Sequence, residues 1–153
     1  MNNRVDEYIS NALKSGEYRE MAYMQKGTRI VIADGHYRGI RFIVENLGIH
    51  PCAYVQIPEH YKVVKDVEYE WDIDIHCHGG CTYLSPSLMI AEDDCILDAG
   101  KVWIGWDYAH FGDYEGYFEE LEHKPDGKRW TTYEIVKECV CVIDEILDKE
   151  KTE

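Results

Sequence analysis

The chain has 153 residues, 45% of them hydrophobic and 30% charged, which is long enough for one packed core, short for two, and too apolar for wholesale disorder. Thirty acidic residues against sixteen basic ones give a formal charge of −14, which repels a polyphosphate backbone and excludes general nucleic-acid binding and adhesion to anionic membranes. No apolar run is long enough to span a bilayer and the first residues are polar, so a cytoplasmic protein with no membrane partner is expected.

Val5, Tyr8, Ile9, Ala12 and Leu13 recur at helical spacing and stop at Ser15-Gly16, predicting an N-terminal amphipathic helix. Thr28–Ala33 is rich in β-branched residues and runs into Asp34-Gly35, which predicts a tight hairpin turn with residues 37–44 as the return strand. Pro51–Pro58 reads as a short strand bounded by two prolines, with edge character at its ends. Residues 59–71 show no clear period and are expected to form a helical turn and a loop. Asp72–Cys77 alternates polar and apolar residues, predicting a strand with Ile73, Ile75 and Cys77 on its buried face.

Lys101–Trp106 is a further predicted strand, and Asp113–Arg129 an irregular surface region. The strongest helix signal is last. Thr131-Thr132-Tyr133-Glu134 has capping-box spacing, and Ile135, Val136, Cys139, Val140, Ile143, Ile146 and Leu147 form an apolar stripe, with fraying expected after Asp148. A single α+β domain follows over residues 1–153: an antiparallel or mixed sheet flanked by N-terminal and C-terminal helices. The six cysteines lack the spacing of a secreted scaffold, so free thiols are expected.

Chemistry concentrates in two segments, 76–83 and 103–113. His76 and His78 are two apart, so on an extended chain both imidazoles leave one face, and Gly79-Gly80 lets a ligand approach backbone N–H groups. Asp107, His110 and Asp113 recur every three residues, and a carboxylate that accepts from an imidazole N–H fixes its tautomer and raises its basicity. His76, His78, Asp107, His110 and Asp113 are therefore the candidate acid/base residues. Gly79, Gly80, Thr82, Tyr83, Trp106 and Tyr108 are candidate ligand contacts, the aromatics for stacking on a planar group. The bland alternatives are a satisfied surface histidine, a capping Asp107, a solvated Asp113 and a core Trp103. A divalent metal is left open, since His76, His78, Cys81, His110 and the two aspartates are competent ligands, although their spacing matches no zinc finger.

Cys52-Ala53-Tyr54-Val55, His78-Gly79-Gly80-Cys81-Thr82-Tyr83, the segment Trp103–Asp113 and the helix at 131–147 together resemble a family of small bacteriophage and prophage proteins. That family's pattern is Cys-x-Tyr-Val, His-Gly-Gly-x-Thr-Tyr and Trp-x-Gly-Phe-Asp-x-x-His-x-Gly-Asp ahead of a C-terminal helix. Trp106 stands where that pattern has phenylalanine and Cys81 where it has leucine. The resemblance implies a phage-type accessory protein, for which action on a small nucleotide of host defence is one expected role. Two chemistries fit such a ligand: a phosphodiesterase-like hydrolase with a His/Asp site, or a sponge that sequesters the nucleotide intact. A third reading is an acidic inhibitor of a host protein or nuclease, and self-association into a homo-oligomer is left open.

Overall fold

The computed structural model describes residues 6, 7, 10, 11, 29–48, 50–91, 93–113 and 127–152. Five strands form the main sheet in the order β1-β2-β3-β7-β4, with β1 at Ile30–Tyr37, β2 at Ile40–Asn46, β3 at Pro51–Pro58, β4 at Tyr83–Ser85 and β7 at Lys101–Asp107. Every pairing in it is antiparallel. A two-stranded ribbon, β5 at Ser87–Ala91 and β6 at Asp94–Leu97, accompanies it. The C-terminal helix spans Thr132–Lys151. The result is one α+β domain. No helix among the described residues is long and apolar enough to cross a membrane.

The helix begins as its sequence dictates: the Thr131 side chain accepts from the Glu134 N–H, and the Glu134 carboxylate returns a bond to the Thr131 N–H. Its apolar stripe is buried against one face of the sheet, with Phe42, Val44, Ala53, Val55, Ile104 and Trp106 opposite it in one core cluster. The other face carries a second cluster of Ile43, Cys52, Tyr54, Leu88 and Trp103. Both faces of β3 are thus covered, which explains why Pro51–Ile57 is buried residue after residue instead of alternating. The strand is interior, and its prolines sit at its first and last positions, where a missing N–H costs least.

Three further sequence expectations are corrected. The hairpin turn is not at Asp34-Gly35: β1 runs through that dipeptide, and the chain reverses at Arg38-Gly39, whose φ values of 51° and 82° supply the left-handed pair a tight turn needs. Asp34 instead takes both the Nε and Nη2 of Arg41, at 2.9 and 2.7 Å, across the β1–β2 pair. Asp72–Cys77 forms no strand. Its alternation is real, with Ile73 and Ile75 buried and Asp74 and His76 exposed, but its donors are met by helix side chains: the His76 and His78 N–H groups donate to Glu145 and Glu138. Extended chain can satisfy its backbone without a ladder when carboxylates lie alongside.

The helix also continues past Asp148 instead of fraying there. Lys149 is tied to Glu145 and Asp74, and the Lys62 N–H donates to Glu150 at 2.8 Å, so the last turn is held from outside. Residues 84–100, unassigned from sequence, supply β4 in part and the β5–β6 ribbon. The predicted N-terminal helix falls mostly outside the described residues, of which Asp6, Glu7, Ser10 and Asn11 are helical. Most of the surface region at 113–129 also lies outside them.

One buried charge gives a stability prediction. Glu45 on β2 is fully buried; burial outweighs the Arg29 guanidinium 3.0 Å away and pushes its pKa up from an ordinary 4.5 to about 7, while Oε1 meets no donor. The unfolded chain loses this proton near the ordinary value while the folded chain retains it. The stability it contributes is complete below the ordinary value and is lost as pH rises through about 7, a difference of about 3 kcal/mol. Urea unfolding from pH 4.5 to 8 should therefore show declining stability, and Glu45→Gln should flatten that slope; an unchanged slope in the variant would refute the assignment.

Candidate functional site

The two motif segments meet because β4 pairs with β7. Tyr83 lies opposite Gly105, and the Thr82 N–H donates to the Gly105 carbonyl at 2.8 Å, which draws the loop at 78–81 over the end of β7. That loop is a β-turn closed by the Gly80 N–H on the Cys77 carbonyl at 3.1 Å, with Gly79 at φ 71°. Beyond Asp107 the chain turns again, the Asp113 N–H donating to the His110 carbonyl at 2.9 Å. His78 and His110 are thereby brought together, with ring centroids 5.5 Å apart.

Each imidazole has its own carboxylate. His78 Nε2 lies 2.7 Å from Asp113 Oδ2, and Asp113 also accepts from the His110 N–H at 3.0 Å and the Trp130 indole N–H at 2.9 Å. Burial raises the Asp113 pKa, but these donors outweigh it and hold the carboxyl below its usual range. An ionised carboxylate can only accept, so Nε2 of His78 carries a proton, and in the neutral ring the lone pair is on Nδ1, which has no partner among the described residues. The ring is fixed on its other sides by a parallel stack on Tyr108, centroids 4.7 Å apart, and an edge contact with Trp130 at 4.9 Å. His110 is held more loosely. Its Nε2 is 3.2 Å from Asp107 Oδ1 but out of line for a hydrogen bond, and Asp107 is shared with the Thr82 hydroxyl and the Ala109 N–H.

The glycine at 79 is required twice, by its left-handed backbone and because an added Cβ would lie 2.0 Å from His110 Nε2. Gly79→Ala should cost about 1–2 kcal/mol from the backbone and displace His110. The melting temperature and the His110 imidazole NMR shifts are the readouts, and an unmoved His110 would refute the packing.

No family model, curated protein or solved structure matches the chain.

The remaining sequence candidates divide. His76 stands apart from the paired histidines: its ring is almost wholly exposed and bonds Glu145 at 3.0 Å, because the chain between 76 and 78 follows the helix and is not a strand presenting both rings together. Trp106 and Tyr108 are fully buried and offer no ring face to a ligand. The Trp106 indole donates to the Tyr108 hydroxyl, which donates to Glu138, so the pair forms the floor under His78. Burial, then the adjacent Glu138, drives the Tyr108 phenol far above its usual pKa, so it stays a neutral donor. Thr82 touches the site through Asp107 alone, and Tyr83 lies on the opposite face of the sheet, its ring edge-on to Tyr54. Gly80 is exposed within the loop. Trp103 belongs to the second core cluster.

The metal expectation meets a specific geometry. Among the described residues no three His, Cys, Asp or Glu side chains converge on a point that could hold an ion. The imidazoles and aspartates pair with each other, and Cys81 is buried in the core with its thiol donating to the Tyr83 carbonyl. All six cysteines are free thiols.

Sequence reasoning missed Trp130 and Glu138. Both touch His78, and both line an open groove of about 460 Å³ with His76, Tyr133, Lys137 and Cys141. Glu138 follows the helix period and so reads as ordinary solvated surface; Trp130 sits in a stretch without period. Phe111, beside His110, is the fully exposed aromatic of the motif.

Proposed function

We propose that the protein is a hydrolase that cleaves a phosphodiester in a small nucleotide by paired acid/base catalysis, with His78 as base and His110 as acid. The observation that carries this reading is the Asp113-held imidazole of His78 with a second imidazole 5.5 Å away, centroid to centroid. His78 Nδ1 accepts a proton from water as the water oxygen bonds to phosphorus. The P–O bond to the leaving group breaks, and the departing oxygen takes a proton from the His110 imidazolium. Asp113 remains ionised and stabilises the imidazolium that forms on His78. The adjoining groove supplies room for the rest of the substrate, with Lys137 to meet a phosphate and the exposed Tyr133 ring to meet a base.

The phage-type resemblance extends the proposal to the substrate: a cyclic or ADP-ribose-type nucleotide that signals host defence, met in the host cytoplasm. The test is to incubate the protein with a panel of such nucleotides, with and without chelator, denature it and analyse what is released. Cleavage of one nucleotide is the expected result. Intact release of a bound nucleotide would replace the hydrolase with a sponge, and no binding at all would favour the acidic inhibitor.

A further inference from the structure

A second groove lies at the other end of the sheet, beside the β1–β2 turn, and its lining is unusual for so acidic a chain. Register places it there. His36 is opposite Arg41 and Arg41 opposite Gln56, one row across β1, β2 and β3, while Lys101 is opposite Pro58 at the adjoining position of β7. Arg38 from the hairpin turn and Tyr61 from the loop after β3 complete the lining of a hollow of about 180 Å³. Lys101 starts β7 and Asp107 ends it, so this hollow is about 20 Å from the paired histidines at the strand rise per residue.

We propose that this groove is a binding site for a small tetrahedral oxyanion, the phosphate group of a free phosphate or a phosphomonoester. Its lining residues include two arginines, a lysine, a histidine, a glutamine and a tyrosine, and no aspartate or glutamate is among them. The nearby carboxylates act from the side. Asp34 takes Nε and Nη2 of Arg41, Asp144 takes Nη1 of Arg38 at 2.7 Å, and Asp98 takes the Gln56 amide at 2.8 Å. Among the described residues Arg41 Nη1 and Arg38 Nε and Nη2 meet no acceptor, and the Arg41 fork is already fixed by its two bonds to Asp34, so little entropy is lost when it meets an anion. The side chains of Lys101 and His36 make no hydrogen bond or ion pair among the described residues. The volume is below the roughly 300 Å³ at which pockets for whole drug-sized ligands begin, which fits one phosphate group and excludes an enclosed nucleotide. The proposal is independent of the hydrolase reading.

Calorimetric titration with inorganic phosphate and with glycerol phosphate, against chloride at matched ionic strength, tests it. Saturable binding of a phosphate species and not of chloride is expected, weakened about tenfold or more in Lys101→Gln and retained in Lys101→Arg. Tighter binding of glycerol phosphate would identify a phosphomonoester, and equal binding free phosphate. Lys101 is exposed at the start of its strand, so circular dichroism should be unchanged in both variants. No preference for phosphate over chloride, or equal affinity in Lys101→Gln and the unaltered protein, would overturn the site.

Discussion

Replacing His78 by alanine is expected to lower nucleotide turnover by ~10²–10⁴-fold, the usual share of a single acid/base group, with nucleotide binding reduced far less. The ring is held by Asp113, Tyr108 and Trp130 and is about a quarter exposed, so its loss leaves a gap at the rim of the core while the sheet and helix keep their packing. His110→Ala should show a loss of the same order. Asp113→Asn is the diagnostic variant. An amide can still accept one bond but can turn its NH₂ toward Nε2, favouring the wrong tautomer and moving the lone pair away from Nδ1. Its turnover should fall with binding retained and with an altered pH–rate profile, whereas a purely structural Asp113 would change the melting temperature and leave the profile alone. If His78→Ala hydrolyses as the unaltered protein does, the paired-histidine mechanism fails.

Ile143→Ala should destabilise the fold by about 2–5 kcal/mol, the range for truncating a large aliphatic side chain in a core that cannot collapse around the cavity. Ile143 is fully buried at mid-helix, among the side chains that join the helix to the sheet. The same helix supplies Glu138 and Glu145 to the extended segment at 73–78, so part of the loss should be felt at the His78 loop. Thermal and urea unfolding measure the global effect, and amide exchange at His76 and His78 the local one. A melting temperature within a degree of the unaltered protein would contradict the packing.

These two expectations differ in how much of each could be read from the chain. The helix at 132–151 was legible because three local signals agree over one segment: a capping box, an apolar stripe of helical period and the absence of glycine and proline. β7 was legible from its β-branched and aromatic residues, and so was the meeting of His78 with His110, since both sit on glycine-bearing turns. The hairpin turn was misplaced because Asp34-Gly35 and Arg38-Gly39 are both competent. Cross-strand register decides between them, putting Gly35 opposite Phe42 and Tyr37 opposite Ile40 in the core.

The sequence by itself determined the net charge, the α+β class, the C-terminal helix and the residue types available for acid/base work, because each depends on composition or on periods within one segment. Tertiary structure alone decided which carboxylate serves which imidazole, that His76 pairs with Glu145, and that Trp106 and Tyr108 lie beneath the site. Those outcomes depend on strand order and on the helix crossing the sheet, which juxtapose residues distant in the chain such as His78, Asp113, Trp130 and Glu138. A period of two or 3.6 says which face a side chain leaves, and not what waits there.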